Sequence, residues 1–294
     1  MKTFAVLQLS GCSGCEVSLL NAEEWVEQYR LAYMPLVSSV ADFPDVDVLL
    51  VSGAVSSDEN LHTLRRAVKK ARMVIAVGTC AISGGVAQLG DRDEVRELFL
   101  AQEDRIHLPR LLPKARPIDS MVNVDLYLPG CPPTPELFIT ALSNPENYRA
   151  PTSVCQECGR RKDKEIRPKH LIGFMQGEVQ PEICLINQGF LCIGSSTRGG
   201  CNALCTRPGH PCVGCRGPSD PFIEKESQAW LKAIHRVFTT MTDIPPEEID
   251  EYLHSPQLAL FLFQFSDYTD RDLLPIGAMT GGSGKPIRSK EKVL

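Results

Sequence analysis

The sequence lacks any long apolar run, since no segment of its 294 residues approaches the ~20 consecutive apolar positions that cross a bilayer. A membrane span is therefore not expected. Basic excess is also missing: the net charge is -5, and nucleic acid as the main partner would require a concentrated basic surface. Lys and Arg are dispersed apart from Arg160, Arg161, Lys162 and Lys164, a short run that reads as a solvated loop. No complete phosphate loop is present. "GGSGKP" falls short of a Walker motif because Met279 stands where Gly is needed and Pro286 where Ser or Thr is needed. The opening "MKTFAVLQLSG" has too short an apolar stretch for a signal peptide and no twin-arginine pair. The cytoplasm is the expected compartment.

What the sequence has in excess is cysteine. Composition is otherwise that of a globular protein, 43% hydrophobic and 23% charged, yet twelve cysteines are present. Structural disulfides are disfavoured in a reducing compartment, and a chain of this length has no need of them. Metal binding is the leading explanation. Three pairs have C-x-x-C spacing: Cys12 with Cys15, Cys155 with Cys158, and Cys212 with Cys215. Two sulfurs so spaced reach one metal ion or two irons of one cluster.

The chain divides near residue 150, into a domain over 1–148 and a second over 149–294. In the first, strands and helices alternate. "TFAVLQL" predicts a strand, "EVSLLNAEEWVEQY" a helix, and "LAYMPLV" an edge or distorted strand because of Pro35. "VDVLLVSGAV" predicts a buried parallel strand, "ENLHTLRRAVKKA" a helix, and "RMVIAVGTC" another strand. "NVDLYLPGCPPTPELFITALS" supplies a strand, a proline-rich turn and a helix. Such alternation predicts an α/β fold with a parallel sheet covered on both faces, binding its ligand beyond the carboxyl ends of the strands. Cys12 and Cys15 follow the first strand, Cys80 the "MVIAV" strand and Cys131 the "VDLYL" strand. Four thiols are thereby expected around one site, with neighbouring glycines leaving backbone amides free to face sulfur. A lone buried cysteine is more often a small core residue; four at equivalent strand ends are not.

The stretch 149–220 holds the other eight cysteines among glycines and prolines, with little periodicity. It has too few large apolar residues to offset its chain entropy without metal. Cys155, Cys158, Cys184 and Cys192 come first, then Cys201, Cys205, Cys212 and Cys215, with Cys192 and Cys201 open to exchange between the groups. Zinc is the rival, because "VCQEC" with a later Cys pair resembles a zinc ribbon, and "CNALC" followed by "CVGC" a zinc module. His210, two residues before Cys212, has the best claim among six histidines, although an ordinary role is favoured. From residue 221 the pattern is helical, in "PFIEKESQAWLKAIHRVF" and in "PPEEIDEYLHSPQLALFLFQF".

Together "GCSGCEVSLL", "VGTCAISGG", "LPGCPPTPE" and "GHPCVGCRGP" resemble the small, electron-transferring subunit of nickel-iron hydrogenases, over nearly the whole chain to about residue 220. The first three also resemble the cluster subunit of respiratory complex I, which lacks the eight later cysteines. The resemblance implies a flavodoxin-like first domain and an irregular, cluster-binding second one with helices. It implies three 4Fe-4S clusters: a proximal one on Cys12, Cys15, Cys80 and Cys131, a distal one on Cys155, Cys158, Cys184 and Cys192, and a medial one on Cys201, Cys205, Cys212 and Cys215. Iron is then the metal at all twelve. The nickel-iron centre is implied in a separate large subunit, so that no catalytic residue lies in this chain.

Two positions depart from the periplasmic and membrane-linked members. Cys155 stands where they use His, and Cys205 where they use Pro. Both changes add thiolate charge and lower cluster potentials, suiting low-potential acceptors. The likeness is therefore to cytosolic enzymes, most of all the heterodisulfide-reductase-linked, methyl-viologen-reducing type, with an iron-sulfur or flavin subunit as acceptor. Deazaflavin-reducing hydrogenases and sulfhydrogenases are near alternatives. A zinc-stabilised flavodoxin-like scaffold, or an iron-sulfur carrier serving another large subunit, are readings of other classes. Glu16, beside Cys15 at a helix start, is a candidate proton-relay or interface residue, against the simpler role of a carboxylate at a helix N-terminus.

Overall fold

The computed structural model describes residues 1–38, 42–91, 93–101, 108–143, 153–173, 176–219 and 229–253. They fall into two units, within Met1–Tyr148 and within Arg149–Gly277. "GGSGKP" and the end of the last predicted helix lie outside the described residues.

In the first unit, alternating strand and helix patterns produce a five-stranded sheet. Its strands are β1 (Lys2–Gln8), β2 (Tyr29–Tyr33), β3 (Val46–Ser52), β5 (Ala71–Val77) and β7 (Leu126–Leu128). They run parallel in the order β2-β1-β3-β5-β7. This is the flavodoxin-like doubly wound order, whose switch point lies between β1 and β3. Successive residues Leu49, Leu50 and Val51 of β3 are all buried. Neighbours on a strand point to opposite faces, so both faces of the sheet are covered, as a continuous apolar run predicts. A short strand β4 (Val55–Ser57) leaves the sheet and pairs antiparallel with β6 (Leu111–Arg116), a ribbon that the sequence pattern does not anticipate.

The helices are α1 (Gly14–Leu20), α2 (Trp25–Gln28), α3 (Asp58–Val68), α4 (Gly78–Ser83), α5 (Asp93–Leu100) and α6 (Pro135–Ser143). The single helix expected over "EVSLLNAEEWVEQY" is broken at Asn21. Tyr29 is needed elsewhere: it pairs with Lys2 across β1 and β2, sets its ring edge-on to Phe4, and donates its hydroxyl to Leu142 O at 2.8 Å. Trp25 Nε1 donates to Leu19 O at 3.0 Å, satisfying a carbonyl at the end of α1. α3 has the full set of start and stop signals. Ser57 Oγ accepts from Asn60 N, Asp58 and Glu59 sit in the first turn, and Arg65 and Arg66 in the last.

The second unit has short α7 (Cys155–Cys158) and then mostly loop until α8 (Ala229–Met241) and α9 (Pro246–Leu253). The expectation that 149–220 has little apolar core of its own finds its answer in these two helices. Ile234 and Phe238 of α8 and Ile249 of α9 join Phe190, Ile186, Leu185, Cys192 and Cys212 in one buried cluster. Among the described residues no helix is long and apolar enough to cross a membrane.

Candidate functional site

The carboxyl edge of the sheet positions the first group of thiols. Cys12 follows β1 at the switch point, and Cys15 lies in α1. Cys80 lies in the first turn of α4 rather than at the end of a strand, because β5 passes directly into that helix at Gly78. Cys131 follows β7. Thr79 ties two of these segments together, its N–H and its hydroxyl both meeting Gly130 O, at 2.9 and 3.1 Å. Ser18 of α1 donates to Pro133 O at 2.5 Å and holds a third.

The four sulfurs converge. Burial, the Glu16 carboxylate, and then Cys80, Cys131 and Cys12 push the Cys15 thiol well above its ordinary pKa. Burial raises that of Cys80 as well, while the N–H groups of Ala87 and Val86 hold it down. The backbone amides that face sulfur here belong to Val86 and Ala87, which the sequence does not single out. Two glycines leave room for these side chains. A Cβ on Gly78 would lie 2.5 Å from Cys15 Sγ, and one on Gly85 would lie 2.9 Å from Cys80 Sγ. Both have positive φ, 79° and 49°, where side chains are disfavoured.

Glu16 is buried in the first turn of α1, where its Oε1 accepts from Ser52 Oγ. Around it, Cys15, Val6, Leu19, Leu50, Val77 and Phe138 line a small cavity. It is thus a buried carboxylate in the first turn of a helix, beside the first thiol group.

In the second unit, burial, Cys184 and Cys158 push the Cys155 thiol up to about 11, against the pull of Lys162. Burial, with Cys155 and Cys184, pushes Cys192 up to about 12, although the N–H groups of Gly194 and Cys212 face it. Cys155, Cys158, Cys184 and Cys192 therefore come together. The last four cysteines meet as pairs: Cys205 feels Cys201, and Cys212 feels Cys192 and then Cys215. His210 sets Nδ1 2.7 Å from Pro211 O, a bond from ring to backbone that accords with an ordinary role.

Two features escape a reading of the sequence alone. Arg160, which the charge run groups with solvated residues, turns inward and donates to four backbone carbonyls, whereas Arg161 next to it is exposed and pairs with Asp163. Glu157, inside the "CQEC" turn, accepts from two amides flanking Cys201. Charge type alone carries no signal for either, because the carbonyls and amides they meet are supplied by the fold.

No disulfide joins any of the twelve cysteines. Among the described residues, no three His, Cys, Asp or Glu side chains stand close enough to hold a single metal ion. Four thiolates on one zinc would sit about 3.8 Å apart, from bonds of about 2.3 Å. Ligands of a cluster bind different irons and are more widely spread. All-sulfur donors, glycine cradles that a Cβ would fill, and N–H groups aimed at sulfur fit an iron-sulfur group.

Fold and site together define an iron-sulfur protein on a flavodoxin-like sheet. Comparison with known proteins is more specific. Residues 12–144 match the family described as NADH ubiquinone oxidoreductase, 20 Kd subunit. A subunit of the F420-non-reducing hydrogenase vhu of Methanococcus voltae is 34% identical, over 76% of this chain and 84% of that protein. Its counterpart from Methanocaldococcus jannaschii is 35% identical over the same shares. The iron-sulfur subunit of the F420-non-reducing hydrogenase of Archaeoglobus profundus is 28% identical over 89% of this chain and 95% of that protein. The chain belongs to this family, the small, electron-transfer subunits of F420-non-reducing hydrogenases.

Proposed function

We propose that this chain carries electrons between the nickel-iron centre of a large subunit and a low-potential acceptor subunit in the cytoplasm, through three 4Fe-4S clusters. When bound, such clusters supply one-electron transfer at potentials set by their ligands and surroundings. Cys12, Cys15, Cys80 and Cys131 would hold the cluster nearest the large subunit, within the domain 1–148. Cys155, Cys158, Cys184 and Cys192 would hold the distal cluster, and Cys201, Cys205, Cys212 and Cys215 the medial one, within 149–294. The convergence of Cys12, Cys80 and Cys131 on Cys15 carries this reading, since their three segments are far apart in sequence.

The chain's own part is positioning. Gly78 and Gly85 keep the space beside Cys15 and Cys80 free of side chains. Val86 and Ala87 direct N–H groups at Cys80 and thereby tune the site. The four-thiol distal and medial sets favour a low-potential acceptor, an iron-sulfur or flavin subunit linked to heterodisulfide reductase. The three relatives described above all come from F420-non-reducing hydrogenases, which supports that acceptor over a deazaflavin.

Anaerobic purification of the native complex tests the proposal. The expected result is nickel in a copurifying large subunit, iron and acid-labile sulfide for three clusters, and three distinct 4Fe-4S signals in an EPR redox titration. Stoichiometric zinc, or a persistent 3Fe-4S signal in undamaged protein, would overturn it.

A further inference from the structure

Two side chains beside Cys158 reach out of their own turn and hold the loop that carries Cys201 and Cys205. Glu157 Oε2 accepts from Gly200 N at 3.0 Å, and its Oε1 accepts from Asn202 N at 3.2 Å. One carboxylate thereby fixes the amides on both sides of Cys201. Arg160 donates to Thr206 O at 2.6 Å, beside Cys205, and to Ile183 O at 3.0 Å, beside Cys184. It also donates to Gln180 O at 2.6 Å and Arg207 O at 3.2 Å. Arg207 returns a bond to Glu157 O at 3.4 Å.

The braced loop has need of outside support. Asn202 and Ala203 both have φ of 53°, a left-handed conformation that asparagine tolerates but that is costly for Ala203 unless the surroundings hold it. Its internal backbone bonds, Leu204 N to Cys201 O, Arg207 N to Ala203 O, Gly209 N to Thr206 O and His210 N to Cys205 O, all have their donors beyond Asn202, and the amides flanking Cys201 are met by Glu157. Charge-assisted bonds to the Glu157 carboxylate and from the Arg160 guanidinium are the strong ones at this place, and the planar five-donor fork of Arg160 matches several carbonyls at once.

We propose that Glu157 and Arg160 are positioning residues that couple two clusters: the turn holding Cys155 and Cys158 dictates the place of the Cys201–Cys205 loop, so the medial cluster is retained only while that brace is intact. The proposal rests on the assignment of these cysteines to two separate clusters. Neither residue is a ligand, and neither lies among the cysteines of the first unit.

The test uses the native complex, purified anaerobically with the full-length chain as wild type, Glu157→Ala, Glu157→Gln, Arg160→Met and Arg160→Lys. Iron, sulfide and the EPR signal of each cluster are measured across a potential series. Glu157→Ala and Arg160→Met are expected to lose the medial signal and up to about one third of the iron, with the proximal signal unchanged. Glu157→Gln, which keeps an acceptor oxygen but not the charge, is expected to lose part of that signal, and Arg160→Lys likewise because it gives up the fork. Three wild-type signals in the variants would overturn the proposal, as would an equal loss of all three, which marks general destabilisation. If Ala and Met variants do not accumulate, the Gln and Lys variants decide, and full retention of the medial signal in both sinks it. A wild-type complex without a medial signal defeats the cluster assignment and this coupling together, and is recognised before any variant is compared.

Discussion

The backbone N–H of Cys212 donates to Cys192 Sγ at 3.3 Å, joining the last cysteine of the proposed distal group to the proposed medial one. Both residues are 7% exposed, whereas Cys155, in the same proposed group as Cys192, lies outside that core and is exposed as a residue although its thiol is sheltered by its neighbours. Removal of either thiol from the distal group should cost that cluster, with different collateral effects. Cys192→Ala also takes the acceptor from Cys212 N–H and opens space in the shared core, so the medial EPR signal should shift or broaden. Cys155→Ala should leave the medial signal as it is. Identical medial spectra in the two variants would break the link.

Gly78→Ala should abolish the proximal cluster and spare the other two. Its Cβ would fall 2.5 Å from Cys15 Sγ on a backbone of positive φ, so either the thiol or the helix start must move. Hydrogen-driven dye reduction should fall well below the wild-type rate, because a relay missing its first centre leaves a longer gap between donor and next acceptor. EPR of the remaining signals verifies that the second unit is intact.

The sheet and the placement of the first four cysteines near its carboxyl edge were legible in the sequence, because continuous apolar runs and the cysteines that follow them are local patterns, and the family was legible in four short motifs. The break at Asn21 was not, since what ends the helix is the demand for Tyr29 beside Phe4 and Leu142. Nor was the burial of Glu16, whose partner Ser52 lies on another strand. Arg160 looked like one charge in a surface run because its acceptors, at residues 180 to 207, are brought to it only by folding.

Glu16→Gln should raise the potential of the proximal cluster by an amount on the order of tens of millivolts, because a negative group beside Cys15 opposes electron uptake. The amide keeps an oxygen to accept from Ser52 Oγ, so the site should remain folded. Hydrogen–deuterium exchange at the large subunit, measured apart from dye reduction, should continue at the wild-type rate if Glu16 acts through charge. A collapse of exchange with an unchanged potential would instead make it a proton relay.

Asp91→Asn should raise the thermal midpoint at pH 7–8 by about 1–2 °C. Burial raises the pKa of Asp91 in the fold, although Ala115 N–H, Arg96, Lys114 and Arg116 all favour its charged form. A raised carboxyl stabilises the fold at pH below its unfolded value, about 3.9, and that contribution is lost as pH rises through the folded value. The neutral amide escapes this loss and still accepts from Ala115 N, which lies 2.9 Å from both carboxylate oxygens. The advantage should therefore shrink as pH is lowered, and midpoints from calorimetry at several pH values check it.

Arg167 closes the end of α8, and its loss should reach the clusters of the second unit through the core. Its guanidinium donates to Thr240 O at 2.8 Å and Thr242 O at 2.6 Å, and to Asp243 Oδ1 at 2.8 Å. The ion pair is half-exposed and contributes little by itself. The carbonyls matter more, because a helix end leaves its last acceptors without partners. Arg167→Ala should cost about 2 kcal/mol and fray the last turn of α8. That turn follows Ile234 and Phe238, which pack in one cluster with Cys192 and Cys212. Warming the anaerobic variant should therefore bleach the distal and medial signals at a lower temperature than in wild type, while the proximal signal, held by the other unit, decays at its usual temperature. A simultaneous loss of all three would show that α8 is not a separate support for those two sites.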